Sequence, residues 1–529
     1  MAAPAANPGR YRVPGKPLNL TSVFLDRHVE AGHGDRPALF IDRPDSAPRT
    51  VSYGELQGLS DRFGHLLRGA GVEMEHRVLI ILEDGWEWAA SFFGALKIGA
   101  TTAFVNPEVS DAELAFYLED SRARAVVTHG RVADRLPEGH RAALVIVDTP
   151  DFEAQLEAQP EGLEAAPTLE DDFAIWLFTS GSTGAPKAAV HRGRDFVFNT
   201  ERYAKDVLQM AEGDITLSVP KLFFGYATGS NLLFPLYFGG SAVLFPDRPS
   251  PERLTELIER YRVTVLINVP TMLSRMSTHL ADASSPPDLS SLRLVTSAGE
   301  ALPPELYRRW KDATGVEILD GIGSAEMFHV FISARLGQVV PGSLGTLVPG
   351  YEARIVGPDG GEVPAGALGT LHIGGGSSAA FYWNRQDKSR EVLQGYWVIT
   401  SDLFRQDDQG YFWYAGRADD TLKVAGRWLQ PQEVEACLTE HAAVAEAGVA
   451  AFEHEGLTKP MAFVVPAPGA HLGALEKDLA AHVAEKLAGF KAPRFVEVVA
   501  DLPRGDRGKL DRPGLTARAR DAARARGLT

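Results

Sequence analysis

The sequence predicts an α/β protein with a large N-terminal domain of two wound parallel sheets and a small β-barrel, followed by a small α+β C-terminal domain. Three observations carry that expectation. Short apolar runs alternate with helical periodicity from Arg77 to His129 and again from Ala242 to Thr296, which is the βαβ rhythm of parallel sheets. Between Gly342 and Tyr414 helical patterns give way to short strands punctuated by glycines, as in small antiparallel barrels. Beyond Gly416 helices and strands both resume, over a stretch long enough for a compact unit of its own.

Taken in order, residues 1–18 read as a loose arm, because Met1–Pro17 is rich in Pro, Ala and Gly and lacks the apolar run of a secretory signal. The first wound sheet begins with a strand at Val78–Leu82, a helix at Trp86–Ile98 and a strand at Thr101–Val105. Ser110 and Glu113 then form a capping-box pattern that opens a helix to Ser121, before a strand at Ala125–Thr128. Leu222–Pro246 carries no charge, but its glycines, Asn231 and Pro235 break it into a buried loop, a helix and a strand rather than a membrane span. The second sheet takes strands at Ala242–Phe245, Val263–Val269 and Leu292–Thr296, with helices at Pro251–Tyr261 and near Thr271–His279. Barrel strands are expected at Glu352–Val356, Thr370–Ile373 and Tyr411–Tyr414. The C-terminal unit takes helices at Pro431–Glu440 and Leu472–Leu487, strands near Ala447–Phe452 and Ala462–Val465, and a solvated helical tail from Thr516.

A 45% hydrophobic and 23% charged composition excludes disordered, collagenous and coiled-coil chains. The net charge of −16 opposes attraction to nucleic acid or anionic lipid, so no such partner is expected and any phosphate needs a local device. Cys437 is the single cysteine and has no disulfide partner in the chain, which suits a reducing, cytoplasmic setting.

The local device stands directly after the apolar run Ala174–Phe178: Thr179, Ser180, Gly181, Ser182, Thr183, Gly184, Ala185, Pro186, Lys187. Two glycines let backbone N–H groups turn inward, hydroxyls add donors and Lys187 brings a positive charge, which together suit a polyphosphate. The spacing is not that of a Walker loop, since Lys187 is followed by Ala188 and not by Ser or Thr. A flexible Ser/Gly turn without a ligand is the alternative at this point.

This loop resembles the signature of the acyl-adenylate-forming superfamily, which includes acyl- and aryl-CoA synthetases, luciferases and peptide-synthetase adenylation domains. Further matches follow in the family's order. Ser297–Pro303 resembles the adenine-facing segment, implying nucleotide contacts at Gly299, Glu300 and Ala301. Asp320, Gly321, Ile322, Gly323, Ser324, Ala325, Glu326 resembles the segment whose carboxylate, here Glu326, associates with Mg²⁺. Ser401–Asp402 resembles the dipeptide that holds the ribose hydroxyls, with Arg417 a further ribose or phosphate contact. Gly416–Asp419 resembles the interdomain hinge, placed at Asp419, and Leu502–Leu510 the loop with the catalytic lysine, Lys509. The implied division is an arm at 1–18, an adenylate-forming domain at 19–418 and a mobile C-terminal domain at 419–529.

The family's chemistry explains these residue types. A carboxylate is a poor electrophile, so it is first joined to AMP with loss of pyrophosphate, and a thiol then attacks the mixed anhydride. Carboxylate and α-phosphate repel one another, so Lys509 is the candidate bridging cation, while Lys187 and Mg²⁺ neutralise the leaving pyrophosphate. Asp402, when ionised, accepts from both ribose hydroxyls. Rotation at Asp419 would withdraw Lys509 and bring Lys423, Ala425, Gly426, Arg427 and Trp428 to coenzyme A. The structural alternatives are a solvated loop lysine for Lys509, a surface or helix N-terminal carboxylate for Glu326, a turn residue after a strand at Tyr396–Thr400 for Asp402, and an interdomain salt bridge for Arg417. The chain departs from the family pattern in two places: Ala325 stands where most members have Thr, with Ser324 the possible substitute hydroxyl, and Ser401 stands where Gly is more usual.

Lys221–Tyr226 (K-L-F-F-G-Y) and the run to His329 resemble the benzoate-CoA ligase branch. Gly225 and Gly323 are expected to leave slots for a flat ring, with Phe224, Tyr226, Ala298, Ile322 and Phe328 as walls. His329 either meets a ring substituent or is a satisfied core histidine. The expected activity is therefore an ATP-dependent, AMP-forming aryl-CoA ligase for a small aromatic acid of the benzoate or 2-aminobenzoate type, acting as a monomer or homodimer. A carrier-protein phosphopantetheine as acceptor, or a non-catalytic nucleotide-binding scaffold, are the alternatives, and no linear feature separates free CoA from a carrier.

Overall fold

The computed structural model describes residues 15–181, 184–420, 422–424, 427–454, 457–467, 469–470, 475–487, 489–504 and 510–528. The first wound sheet has seven strands, in the order Phe381–Tyr382, Gly184–Arg192, Phe173–Gly181, Thr101–Phe104, Arg77–Ile81, Ala125–Thr128, Ala143–Ile146. Its last five run parallel, as the βαβ rhythm predicts. The expected capping box is present: the Glu113 N–H donates to the Ser110 hydroxyl, and the Glu113 carboxylate accepts the Ser110 N–H at 2.9 Å.

The second sheet has nine strands and places Ile318–Gly323, Leu294–Ala298, Val265–Asn268, Ile215–Ser218 and Ser241–Leu244 side by side and parallel. The uncharged stretch resolves into helical turns at Gly225–Thr228, Gly229–Leu233 and Phe234–Phe238 and the buried strand Ser241–Leu244. Among the described residues no helix is long and apolar enough to cross a membrane. The expected small barrel is a five-stranded antiparallel half-barrel in which Trp397–Gln406 pairs with both Gly369–Gly374 and Phe412–Arg417.

The C-terminal region has its own apolar layers. Val449, Ala462 and Val464 face Val434, Leu438, Leu479 and Val483 of the helices Pro431–Thr439 and Leu475–Lys486. Ala450, Met461 and Phe463, one residue out of step, face Leu515, Ala519 and Ala523 of the helix Arg512–Ala525. That alternation is the period of two expected of strands covered on both faces. It also corrects one expectation: the tail is not a solvated helix, because residues four apart form an apolar stripe against the sheet. Residues 16–18, counted with the arm, are tied to the first domain instead. Lys16 and Leu18 exchange backbone hydrogen bonds with Glu170 and Thr168 at 2.9 and 2.8 Å, and residues 1–14 lie outside the described residues.

Candidate functional site

Parallel sheets bind ligands beyond the carboxyl ends of their strands, where loops diverge. Ser297–Pro303 and Asp320–Glu326 lie there, on adjacent strands in register, with Ser297 opposite Asp320 and Ala298 opposite Gly321. Asp320 is buried, and desolvation pushes its carboxyl up to about 7 against the opposing pull of the Ser297 hydroxyl and the Gly321 and Leu302 N–H groups. A carboxyl held above its unfolded pKa contributes stability below about pH 4 that is lost as pH rises through 7. Asp320→Asn is therefore expected to raise Tm relative to wild type by more at pH 8 than at pH 5. Thermal unfolding of the ligand-free protein checks this, and an equal gap at both pH values contradicts it.

The expected phosphate loop joins two antiparallel strands of the first sheet. Phe173–Gly181 runs antiparallel to Gly184–Arg192, pairing Thr179 with Lys187 and Gly181 with Gly184, while Ser182 and Thr183 lie outside the described residues. Lys187 Nζ sits 4.9 Å above the ring centre of Tyr382. The Tyr382 hydroxyl donates to Glu326 Oε1 at 2.6 Å, so one ring links two sequence-predicted residues. Glu326 is half-buried, its Oε2 has no hydrogen-bond partner among the described residues, and its carbonyl accepts the Ala379 N–H at 2.8 Å. On the opposite side the buried His191 bridges Asp195 Oδ2 at 3.0 Å and the Ala325 carbonyl at 2.7 Å. The backbone at Ala325 is thus anchored although its side chain has no hydroxyl. Ser324 Oγ, beside it, is buried without a partner among the described residues.

Asp402 and Arg417 are register partners on neighbouring half-barrel strands. Asp402 lies within a strand that continues to Gln406, so the turn-residue alternative falls. Glu300 accepts from the Thr271 hydroxyl at 2.9 Å and lies 3.9 Å from the Arg504 guanidinium, which also pairs with Glu446. Gly299 and Ala301 beside it are exposed. Lys509 lies outside the described residues, but the loop that carries it is closed at its base by a bridge between Arg504 and Leu510. That base therefore stands next to the expected adenine-facing segment. Lys423, Arg427 and Trp428 belong to the two-stranded ribbon Leu422–Val424 and Arg427–Leu429, while Ala425 and Gly426 at its turn lie outside the described residues. Asp419 sits in the short turn Ala418–Asp420 that follows the last half-barrel strand.

Of the residues expected to line an aryl slot, Gly225 and Tyr226 meet the turn at Phe328 and His329. A Cβ on Gly225 would lie 3.0 Å from Leu177 Cδ1 and 3.5 Å from the Phe328 carbonyl oxygen. Phe224 and Ile322 are half-buried and Ala298 is buried. The Tyr226 hydroxyl is 2.7 Å from that of Thr296. Phe328 has φ +64° and ψ −54°, and the His329 N–H donates to the Met327 carbonyl at 2.8 Å. This is a tight three-residue turn of the rare, strained kind, held by the Phe328 ring packed 4.4 Å from Phe196. Two expectations change here. His329 is a buried core histidine: Nε2 donates to the Tyr226 carbonyl at 3.0 Å and lies 2.9 Å from Ser230 Oγ, Nδ1 is buried without a partner among the described residues, and burial pushes the ring down to about 3, so it stays neutral. Gly323 does not open a slot, because the His329 carbonyl oxygen lies 2.5 Å from where its Cβ would stand; it lets two backbone segments touch.

Tyr382, His191 and Leu177 were missed by sequence reasoning. His191 and Asp195, four apart at a helix start, gave a weak local signal. Tyr382 gave none, since its partner lies 56 residues away.

The sequence profile of AMP-binding enzymes matches residues 25–383, and that of the AMP-binding enzyme C-terminal domain matches residues 433–509. The chain belongs to the AMP-binding enzyme family. Within this family it is 40% identical over 518 residues to a benzoate–CoA ligase of Thauera aromatica, covering 96% of this chain and 97% of that protein. The fold matches the crystal structure of a benzoate CoA ligase from Burkholderia xenovorans LB400 with TM-score 0.86 and 36% identity, over 94% and 99% of the two chains. It matches an anthranilate CoA ligase in complex with anthranoyl-AMP with TM-score 0.88 and 36% identity, over 96% and 98%. The family's half-barrel and separate C-terminal domain are thus the architecture seen here.

Proposed function

We propose that this chain activates benzoate or 2-aminobenzoate and passes the acyl group to free coenzyme A. The chain is an ATP-dependent, AMP-forming aryl-CoA ligase, and the full-length similarity to CoA ligases favours CoA over a carrier protein. The observation that carries the substrate reading is the shared turn at residues 323–329. It presents Glu326 on one side and packs its Phe328 carbonyl against Gly225 on the other. A carboxylate held by its ring in the aryl slot would thereby meet the nucleotide's phosphates.

In this reading the hairpin tip at Thr179–Lys187 cradles the phosphates, Asp402 and Arg417 hold the ribose, and Glu326 holds Mg²⁺. No group of three or more His, Cys, Asp or Glu side chains among the described residues could hold a metal ion. A single half-buried carboxylate with one uncommitted oxygen suits Mg²⁺, which keeps waters and takes most other ligands from substrate phosphates. When bound, the ion neutralises charge on the leaving pyrophosphate. Tyr382 fixes Glu326 Oε1 and stacks beneath Lys187, so its hydroxyl orients one group and its ring supports the other. Lys509 brings the bridging charge for adenylate formation. Asp419 is then the pivot between an N-terminal domain at 19–418 and a C-terminal domain at 419–529. The ribbon at 422–429 replaces the lysine loop for thioester formation. The acidic net charge and lone buried Cys437 support a cytoplasmic enzyme without nucleic-acid or membrane partners.

A pyrophosphate-release screen over aromatic and aliphatic acids tests the assignment. Turnover is expected with benzoate or 2-aminobenzoate and not with acetate or long-chain acids; preference for an aliphatic acid overturns it. Tyr382→Phe keeps the ring and removes the hydroxyl, and is expected to slow adenylate formation about tenfold while leaving thioester formation from supplied benzoyl-AMP unchanged. Half-reaction assays check this, and equal loss in both steps contradicts it.

A further inference from the structure

The aryl segment is held from behind by groups that play no part in the chemistry above. Asp84 lies between the strand Arg77–Ile81 of the first sheet and the helix Trp86–Lys97, and is 2% exposed. Its Oδ1 accepts the Leu222 N–H at 2.8 Å, across 138 residues of sequence. The Leu222 carbonyl accepts from the Thr228 hydroxyl at 2.6 Å, and the Phe224 N–H donates to the Lys221 carbonyl at 2.9 Å. Residues 221–228 therefore form a closed turn whose first residues are tethered to the other sheet through Asp84.

Lys221 completes the arrangement. Its Nζ donates to the Phe245 carbonyl and sits 3.3 Å from the Phe245 ring centre. Asp84 and Asp247 attract this ammonium through space, while Arg253 repels it. Burial pushes the Asp84 carboxyl up to about 6 and the Lys221 ammonium down to about 8, and each charge resists the other's neutralisation. Asp84 also borders a cavity of about 430 Å³ shared with His129 and Asp247.

We propose that Asp84 is a positioning residue: its buried carboxylate, with the Lys221 ammonium held nearby on Phe245, ties the loop of one sheet to the other and sets Leu222–Tyr226, and with it Gly225, against the turn at Phe328. The proposal rests on the aryl-acid reading above. A binding constellation tolerates displacements of only about 0.5 Å, so slack at Leu222 reaches the slot three residues on. The nucleotide segments hang on other strand ends and are not tethered through Asp84.

The test compares steady-state KM for benzoate and for ATP in the full-length enzyme. Asp84→Ala is expected to raise KM for benzoate about tenfold with KM for ATP changed less than about twofold. Asp84→Asn keeps an acceptor for Leu222 but removes one of the two carboxylate charges that attract Lys221, and is expected to raise benzoate KM about threefold. The double variant Asp84→Asn with Lys221→Met removes both charges and is expected to return benzoate KM to near wild type, a rescue that a purely structural defect would not give. Thermal unfolding verifies the fold of each variant, and should Asp84→Ala not fold, the single and double Asn variants decide. The proposal is overturned by an unchanged benzoate KM in folded Asp84→Ala, by equal rises for benzoate and ATP, or by a double variant no better than Asp84→Asn. A wild-type enzyme without aromatic-acid turnover would instead overturn the aryl reading, before any variant is compared.

Discussion

Lys509→Ala is expected to lower adenylate formation by at least ~10² to 10³, while the same variant still converts supplied benzoyl-AMP and CoA to thioester at close to the wild-type rate. The reason is electrostatic. A carboxylate approaching an α-phosphate joins two anions, and a cation between them is needed only while that bond forms. The thiol then attacks a neutral acyl carbon, with AMP as the leaving group. The placement of the loop supports this division: the Arg504–Leu510 bridge closes its base, and Arg504 lies 3.9 Å from Glu300 of the expected adenine-facing segment. The ribbon proposed for CoA is a separate two-stranded sheet. Pyrophosphate release and thioester formation, measured separately, check the prediction. Equal collapse of both steps in a folded variant would remove the two-conformation account.

The second large effect is expected at Gly225. A Cβ there would already lie 3.0 Å from Leu177 Cδ1 and 3.5 Å from the Phe328 carbonyl oxygen, so the backbone at Gly225 is closely packed on that side. Leucine at this position adds a branched side chain to space that the ring would occupy, and the strained turn at Phe328 has no slack to give. Gly225→Leu is expected to raise KM for benzoate about a hundredfold or abolish turnover, with ATP binding retained. Benzoate kinetics together with equilibrium ATP binding test this. Unchanged benzoate kinetics would move the aryl pocket elsewhere.

The parts of the fold that were legible in the sequence are those governed by local pattern. Apolar runs at Val78–Leu82 and Val263–Val269 became buried parallel strands, and Ser110 with Glu113 became a capped helix. The motif segments were recognisable by residue type and spacing, and the roles given to them belong to the proposed function. Distance in sequence hid the rest. Tyr382 meets Glu326 only because its short strand pairs with the strand after the expected phosphate loop, and His191 reaches Ala325 across 134 residues. The tail helix was misread because alternating Arg and Ala look solvated until the stripe Leu515, Ala519, Ala523 is seen against a sheet. Gly323 was misread because a glycine that admits a ligand and one that admits backbone are alike in sequence. Only the neighbouring His329 carbonyl distinguishes them.

The most direct measurement follows an oxygen atom. Benzoate carrying ¹⁸O in both carboxylate positions, incubated with ATP, CoA and the enzyme, should deliver one labelled oxygen to the phosphate of AMP, since the carboxylate itself attacks the α-phosphorus. Label in inorganic phosphate, or AMP free of label while benzoyl-CoA accumulates, would contradict activation through an aryl-adenylate.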